Sequence, residues 1–120
     1  FVELGSSERY WGDRKAAGVV ARALMESLAN REIWTKVAVG FGGTHYSEKF
    51  TKLLVEGEFA FSFVAPKYAL EHVDEGILSQ MIQRTNAPVR YAVLDWKGLG
   101  PQKEKVVKLV KQFGLEEVRV

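Results

Sequence analysis

The chain has 120 residues, of which 47% are hydrophobic and 27% charged, a composition typical of one soluble globular domain. Its net charge of +2 is too small to indicate nucleic-acid binding by itself, and its longest apolar run, residues 59–65, falls far short of the ~20 residues that a membrane span needs. Because the chain contains no cysteine, disulfides, thiolate zinc sites and cysteine nucleophiles are excluded.

The first residues, 1–4, have the pattern of a strand, with no methionine and no polar lead-in before it. A domain seldom begins inside an element, because loose termini are the rule. This start predicts a C-terminal fragment of a longer chain, in which residues 1–120 form a single α/β domain.

Strand and helix patterns alternate along the chain. The predicted strands are residues 1–4, 36–41, 58–64, 89–94 and 118–120. The predicted helices are residues 13–29 and the segments that begin at Ser47, at Asp74 and at Gly100-Pro101, two of which end at Gly57 and Gly114. The stripes expected to be buried are Ala16, Val20, Leu24 and Leu28; Phe50, Leu53 and Leu54; Ile77, Leu78, Met81 and Ile82; and Val106, Val107, Val110 and Phe113. This order predicts an α/β fold with a largely parallel or mixed sheet and helices on both faces.

Three loops follow predicted strands at their carboxyl ends, where open α/β sheets usually bind ligands. They are residues 40–46, 65–68 and 95–98. In the first loop, Gly42 and Gly43 let backbone N–H groups approach an anion, and a helix N-terminus follows. The loop is neither a dinucleotide fingerprint, because His45 occupies its last position, nor a P-loop, and a plain tight turn is the alternative interpretation.

Two ionisable side chains of these loops are candidates for catalysis. His45 could act as a general base, a metal ligand or a donor to an oxyanion, and the alternative is an exposed loop histidine without a role. Lys67, between a proline and Tyr68, could hold a phosphate or neutralise an oxyanion, and the alternative is a solvated lysine.

The third loop places Asp95 and Lys97 on either side of Trp96. Such a set could supply an acid, a ribose contact and a stacking ring. An ion pair beside a core tryptophan is an equally good interpretation.

Weaker candidates complete the set. Glu3 could be an acid or a metal ligand, whereas Ser6 and Ser7 lack the G-x-S-x-G pattern of a nucleophile and fit helix capping better. His72 is distant from His45 in the sequence, so a three-ligand zinc site is not supported by spacing. The last helix has a basic side that fits either RNA contact or a solvated surface, formed by Lys103, Lys105, Lys108 and Lys111.

Four motifs occur in an order that resembles one known family. They are Glu3-Leu4-Gly5-Ser6-Ser7 followed by Trp11, Gly42-Gly43-Thr44-His45-Tyr46, Pro66-Lys67-Tyr68 and Asp95-Trp96-Lys97-Gly98. Together they resemble the C-terminal half of the archaeal and plant type of D-aminoacyl-tRNA deacylase, over essentially all 120 residues. The chain departs from the family pattern at Thr44, where a third glycine is common, and at Ser62 and Phe63, where Gly-His is common.

The resemblance implies a cytoplasmic, zinc-associated esterase with a phosphorylase-like or peptidyl-tRNA-hydrolase-like fold, which releases the D-amino acid and tRNA from D-aminoacyl-tRNA. It implies catalytic roles for His45 and Lys67, and a metal-binding role for His45 and Glu3. The substrate-binding residues that it implies are Gly42, Gly43, Tyr46, Tyr68, Asp95 and Lys97. The isolated 120 residues are expected to be inactive without the remaining half. A phosphate-binding, phosphorylase-like enzyme and a non-catalytic tRNA-binding domain are the alternatives.

Overall fold

A computed structural model describes residues 4–5, 7–29 and 36–120. The chain divides into two compact units, Phe1–Ile33 and Trp34–Val120, and each is considered by itself. The strand predicted at residues 1–4 falls mostly outside the described residues, and so do Glu3 and Ser6. Among the described helices, none is long and apolar enough to cross a membrane.

The first unit contains a short helix, α1 (Glu8–Trp11), and a long one, α2 (Arg14–Ala29). Asp13 caps α2, since its Oδ1 accepts the backbone N–H groups of Lys15 and Ala16 at 2.9 and 3.1 Å. The predicted helix at residues 13–29 is therefore confirmed.

The predicted core face of α2 is not confirmed, because no residue of this helix is buried. Leu24 and Leu28, the two largest side chains of the predicted stripe, are 43% and 73% exposed. The other helix described in this unit has four residues and buries no side chain, so it offers little apolar surface to cover the stripe.

The second unit is built on a four-stranded sheet whose order is β2-β1-β3-β4, with every neighbouring pair parallel. Its strands are β1 (Val37–Phe41), β2 (Ala60–Ala65), β3 (Tyr91–Leu94) and β4 (Glu116–Arg119). Its helices are α3 (Glu48–Val55), α4 (Glu75–Gln83) and α5 (Lys103–Gln112). Parallel strands need crossover connections, and these helices supply them. The predicted α/β fold is confirmed.

Helices cover both faces of the sheet, because successive side chains of a strand point to opposite faces. Val39 and Phe41 of β1 pack in one core with Leu78 of α4 and Val106 of α5. Ala38 packs in the other core, on the opposite face, with Phe50 of α3 and with Phe59, which directly precedes β2. The central strands are buried on both sides, which is typical of a parallel sheet.

Several side chains expected in the core are exposed instead. Phe63 and Val64 are each 39% exposed, because β2 is an edge strand of the sheet among the described residues. Ile77 and Leu54 lie on the outer sides of their helices and are 42% and 43% exposed. In α5, Leu109 is buried, whereas Val107 and Phe113 of the predicted stripe are only partly buried.

The helix ends follow the predicted signals with two differences. Asp74 caps α4, since its Oδ1 accepts the N–H of Ile77 at 2.8 Å, but Ser47 makes no side-chain capping bond to α3. Gly114 follows α5 with a φ of 66°, a left-handed conformation that suits glycine. Pro101 lies in a 3₁₀ turn, Gly100–Gln102, that leads directly into α5. A second 3₁₀ helix, Lys67–His72, occupies a segment that the sequence did not predict as helical.

Candidate active site

The loops after β1, β2 and β3 are joined at the carboxyl end of the sheet. The N–H of Gly42 donates to the carbonyl of Ala65, and the N–H of Lys67 donates to the carbonyl of Gly43, both at 2.9 Å. On the other side, the N–H of Asp95 donates to the carbonyl of Phe41 at 2.9 Å. These bonds bring residues 42–47, 66–68 and 95–98 together in one region, called here the carboxyl-end site.

The glycine loop of this site is tightly packed against the loop after β3. Gly42 and Gly43 have φ values of 100° and 77°, which favour glycine. A Cβ on Gly42 would lie 3.0 Å from the carbonyl oxygen of Asp95, and a Cβ on Gly43 would lie 2.7 Å from the hydroxyl of Ser47. The neighbouring Gly98 approaches so closely that a Cβ there would lie 2.5 Å from the nitrogen of Gly43. The glycines are therefore required by both conformation and space.

His45 is exposed and lies beside two tyrosines. Its Nδ1 is 3.3 Å from the hydroxyl of Tyr68, and its ring meets the ring of Tyr46 edge-on with centroids 4.8 Å apart. Nε2 of His45 has no hydrogen-bond partner among the described residues. The two tyrosine rings are 79% (Tyr46) and 64% (Tyr68) exposed, so all three rings are open to a ligand.

Two clefts flank the glycine loop and share Gly43, Thr44 and Lys67 as a common wall. The first, of about 570 Å³, is mainly apolar; its other lining residues are His45, Tyr68, Glu71, Leu99, Pro101 and Gln102. The second, of about 540 Å³, is more polar; its other lining residues are Tyr46, Ser47, Glu48, Lys49, Asp95, Lys97 and Gly98. Seven of the nine sequence-predicted site residues thus line one of these clefts or the other; Gly42 lines neither, and Glu3 lies outside the described residues.

Asp95 is the one buried charged residue found in the described part of the chain, and its partner was not expected from the sequence. The ammonium of Lys49 lies 2.6 Å from Oδ1 of Asp95 and 3.0 Å from the carbonyl of Val120. The ion pair that the sequence offered as the alternative at this loop is thus present, and its cation is Lys49 of α3. Sequence places Lys49 two residues after the expected cap Ser47, but gives no sign of which carboxylate it meets.

Cations of the chain already engage Trp96, the expected stacking ring. Lys103 Nζ lies 4.8 Å from the ring centroid and Arg119 Cζ lies 3.9 Å from it, while the indole packs partly against the core.

The lysines on the basic side of α5 do not all have the same environment. Lys105 donates to the carbonyls of Leu70 and Glu71 at 3.2 and 2.7 Å, whereas Lys108 and Lys111 are exposed.

The donor set of the described residues does not fit a zinc site. No group of three histidine, aspartate or glutamate side chains that could hold a metal is found among them. His72 pairs with Glu71 at 3.2 Å and is 80% exposed, and it lines neither of the two clefts beside the glycine loop. Phe63, at the position where the resemblance places a histidine, lies on β2 and lines neither cleft. Zinc and the metal roles of His45 and Glu3 therefore stay predictions.

Fold and site together define an α/β protein whose candidate ligand site lies at the carboxyl end of a parallel sheet. A sequence model of D-aminoacyl-tRNA deacylase matches residues 1–118. The chain belongs to the D-aminoacyl-tRNA deacylase family.

Individual relatives are similar over nearly the whole chain. The D-aminoacyl-tRNA deacylase of Cenarchaeum symbiosum (strain A) is 37% identical over 118 residues, which cover 98% of this chain and 45% of the relative. That of Methanocaldococcus jannaschii is 38% identical over 125 residues, which cover 100% of this chain and 48% of the relative. The chain spans about half the length of the curated relatives it matches.

A solved structure has the same fold. It is a crystal structure of a conserved protein of unknown function, which aligns with a TM-score of 0.79 and 31% sequence identity. The alignment covers 96% of this chain and 40% of that one.

Proposed function

We propose that the protein hydrolyses the ester bond of D-aminoacyl-tRNA and releases the D-amino acid and free tRNA, as a chirality check in the cytoplasm. Family membership over residues 1–118 supports the reaction class. The observation that carries the proposal is the placement of His45, Lys67 and the glycine loop around one cleft of about 570 Å³. Ester hydrolysis needs a base for water and donors for an oxyanion, and this cleft has candidates for both.

His45 is the proposed general base. For Nε2 to accept a proton from water, Nδ1 must carry the hydrogen of the neutral ring. The Nδ1–H would then donate to the hydroxyl oxygen of Tyr68, which lies 3.3 Å away. Tyr68 thereby sets the tautomer in which Nε2 has its lone pair directed to solvent and substrate. The water gives a proton to Nε2 as it attacks the ester carbonyl, and a tetrahedral intermediate forms. Its collapse breaks the ester bond and expels the ribose oxygen of tRNA, which takes that proton from Nε2.

The glycine loop and Lys67 are the proposed stabilisers of the tetrahedral oxyanion. The backbone N–H groups of Thr44 and His45 have no acceptor among the described residues, so they are available to an anion. Lys67 lines the same cleft, and its ammonium would add a full positive charge beside the developing oxyanion. Gly42 and Gly43 contribute the close backbone approach, which any side chain would prevent.

The remaining site residues are proposed to hold the 3′ end of tRNA. The exposed rings of Tyr46 and Tyr68 are suited to stacking on unpaired bases. Lys97 is exposed at the polar cleft and can contact a phosphate, while Asp95 can accept a ribose hydroxyl on the side of its carboxylate that faces this cleft.

The test is turnover by the protein at its full natural length, with D- and L-aminoacyl-tRNA as substrates and free amino acid as the product measured. Release from the D-form is expected, and His45→Ala is expected to lower kcat by about a hundredfold to ten-thousandfold. His72→Ala is the matched control, because its ring is exposed and lies outside the two clefts. Near-normal turnover by His45→Ala would remove the base from the proposal, and product formation that requires phosphate would favour a phosphorylase-like reaction.

A further inference from the structure

An ion pair lies against the glycine loop: the carboxylate of Asp95 is buried, whereas the side chain of Lys49 is 43% exposed, and the reaction proposed above gives this lysine no role. Asp95 is only 8% exposed, and Lys49 reaches it from the first turn of α3 with an N–O distance of 2.6 Å. A second hydrogen of the ammonium is donated to the carbonyl of Val120 at 3.0 Å. Lys49 thus joins the start of α3 to the loop after β3 and to the residue that follows β4.

Asp95 in turn joins the segments that form the site. Its N–H donates to the carbonyl of Phe41, and its own carbonyl accepts the N–H of Leu99, both at 2.9 Å. The carboxylate lies against the glycine loop, since a Cβ on Gly43 would be 3.7 Å from Oδ2. It also lies against Gly98, where a Cβ would overlap Oδ2. A shift of this carboxylate would therefore displace both loops.

The positive charge of Lys49 stabilises the carboxylate of Asp95 in its buried position. A buried carboxylate without a cation is strongly disfavoured, so it would move towards water, take up a proton or bind other donors nearby. Such donors include the backbone N–H groups of the glycine loop, because this loop lies against the carboxylate, and an oxyanion would need the same groups. Lys49 lines the polar cleft but not the cleft that contains His45.

We propose that Lys49 is a positioning residue, which acts on the reaction through Asp95 by holding the glycine loop in place. The catalytic part of this inference rests on the proposed deacylase function. Its structural part, that the Lys49–Asp95 pair fixes residues 42–45, stands on the contacts alone.

The experiment uses the protein at its full natural length with three variants of the pair: Lys49→Met, Lys49→Arg and the double variant Lys49→Met with Asp95→Asn. Lys52→Met is the control, because Lys52 lies on the same helix in an exposed ion pair with Glu56 at 3.7 Å, a type of pair that contributes little. Two quantities are measured: kcat and KM for D-aminoacyl-tRNA, and amide hydrogen exchange of peptides that contain residues 42–45.

Lys49→Met is expected to lower kcat by about tenfold or more, with KM changed by less than about threefold, because a change in loop geometry acts on the transition state. Exchange in residues 42–45 is expected to become faster, while exchange in β1 and α5 stays unchanged. Lys49→Arg is expected to recover most of kcat, since it restores the cation. The double variant removes the unpaired charge, so it is expected to fold even if Lys49→Met does not. It still lacks the ion pair that fixes residues 42–45, so it is expected to keep the lowered kcat and the faster exchange.

Unchanged exchange in residues 42–45 together with a kcat within about threefold of the parent, in any folded variant without the lysine, would overturn the inference. A rise in KM alone would also overturn it, because it would make Lys49 a direct substrate contact. If the parent protein releases no D-amino acid, the proposed function fails, and the exchange measurement still decides the positioning role.

Discussion

At the residue scale, the chemistry depends on which nitrogen of His45 carries a proton. Sequence indicated His45 as a candidate base and Tyr68 as a substrate contact, but not that the two side chains meet. Tyr68 follows His45 by 23 residues, and the two meet because β1 and β2 are neighbours in the sheet, with their loops joined at Gly43 and Lys67. The contact supports a second proposed role for Tyr68, as the group that sets the tautomer of His45.

Removal of the Tyr68 hydroxyl tests this role. Tyr68→Phe keeps the ring for stacking but removes the oxygen that accepts from Nδ1 of His45, so kcat is expected to fall by about threefold to tenfold, the effect of one hydrogen bond. KM is expected to change little, because the ring remains. The measurement is steady-state deacylation of D-aminoacyl-tRNA by the protein at its full natural length. A rise in KM with an unchanged kcat would instead assign the hydroxyl to substrate binding.

At the element scale, local signals predicted the helix starts, but the hydrogen bonds of each N-cap residue decide how much it contributes to stability. Asp74 and Ser47 are both good N-cap residues, and each precedes a helix. Only Asp74 makes a side-chain capping bond, 2.8 Å from the N–H of Ile77. The hydroxyl of Ser47 instead lies beside Gly43 of the glycine loop. It is so close that a Cβ on Gly43 would lie only 2.7 Å from it.

A pair of alanine substitutions checks this difference. Asp74→Ala is expected to lower the free energy of unfolding by about 1 kcal/mol, since it removes a capping bond at the N-terminus of α4. Ser47→Ala is expected to cost clearly less, because no capping bond is lost. Denaturant unfolding followed by circular dichroism measures both. Equal losses for the two variants would show that the capping bond of Asp74 adds nothing to stability.

At the scale of the whole molecule, the net charge of +2 gives little attraction to RNA, so the proposed tRNA binding would depend on local cations. Lys67 and Lys97 are concentrated at the carboxyl-end site. Arg84, by contrast, follows the end of α4, at the opposite end of the sheet from the loops that start the helices.

This distribution predicts a specific salt dependence. Lys97→Gln is expected to weaken binding of uncharged tRNA and to reduce the slope of log Kd against log salt concentration by about one, the effect of one lost phosphate contact. Arg84→Gln is the matched control and is expected to leave the slope unchanged. Fluorescence anisotropy of labelled tRNA at several salt concentrations measures both. Identical slopes for Lys97→Gln and the parent would place the phosphate contacts elsewhere.

Local sequence patterns determined the fold class, most helix ends and the family of this protein. Alternating patterns predicted the α/β fold and the confirmed strands, because the periodicity of apolar residues reports which side of an element is covered. Glycines and caps predicted most helix ends, since φ > 0 and unpaired N–H groups are local requirements. The rule that ligands bind at the carboxyl ends of strands pointed to three loops, which the structure brings together, and the ordered motifs predicted the family.

Only the tertiary structure decided which side chains meet. Strand order makes β2 an edge strand, and this exposes Phe63 and Val64, which sequence placed in the core. The ion pair of Lys49 with Asp95 joins residues 46 positions apart in the chain, and the contact of His45 with Tyr68 joins residues 23 apart. Such contacts depend on strand order and loop packing, which a periodic pattern does not contain, because periodicity reports only the face of an element and not its neighbour.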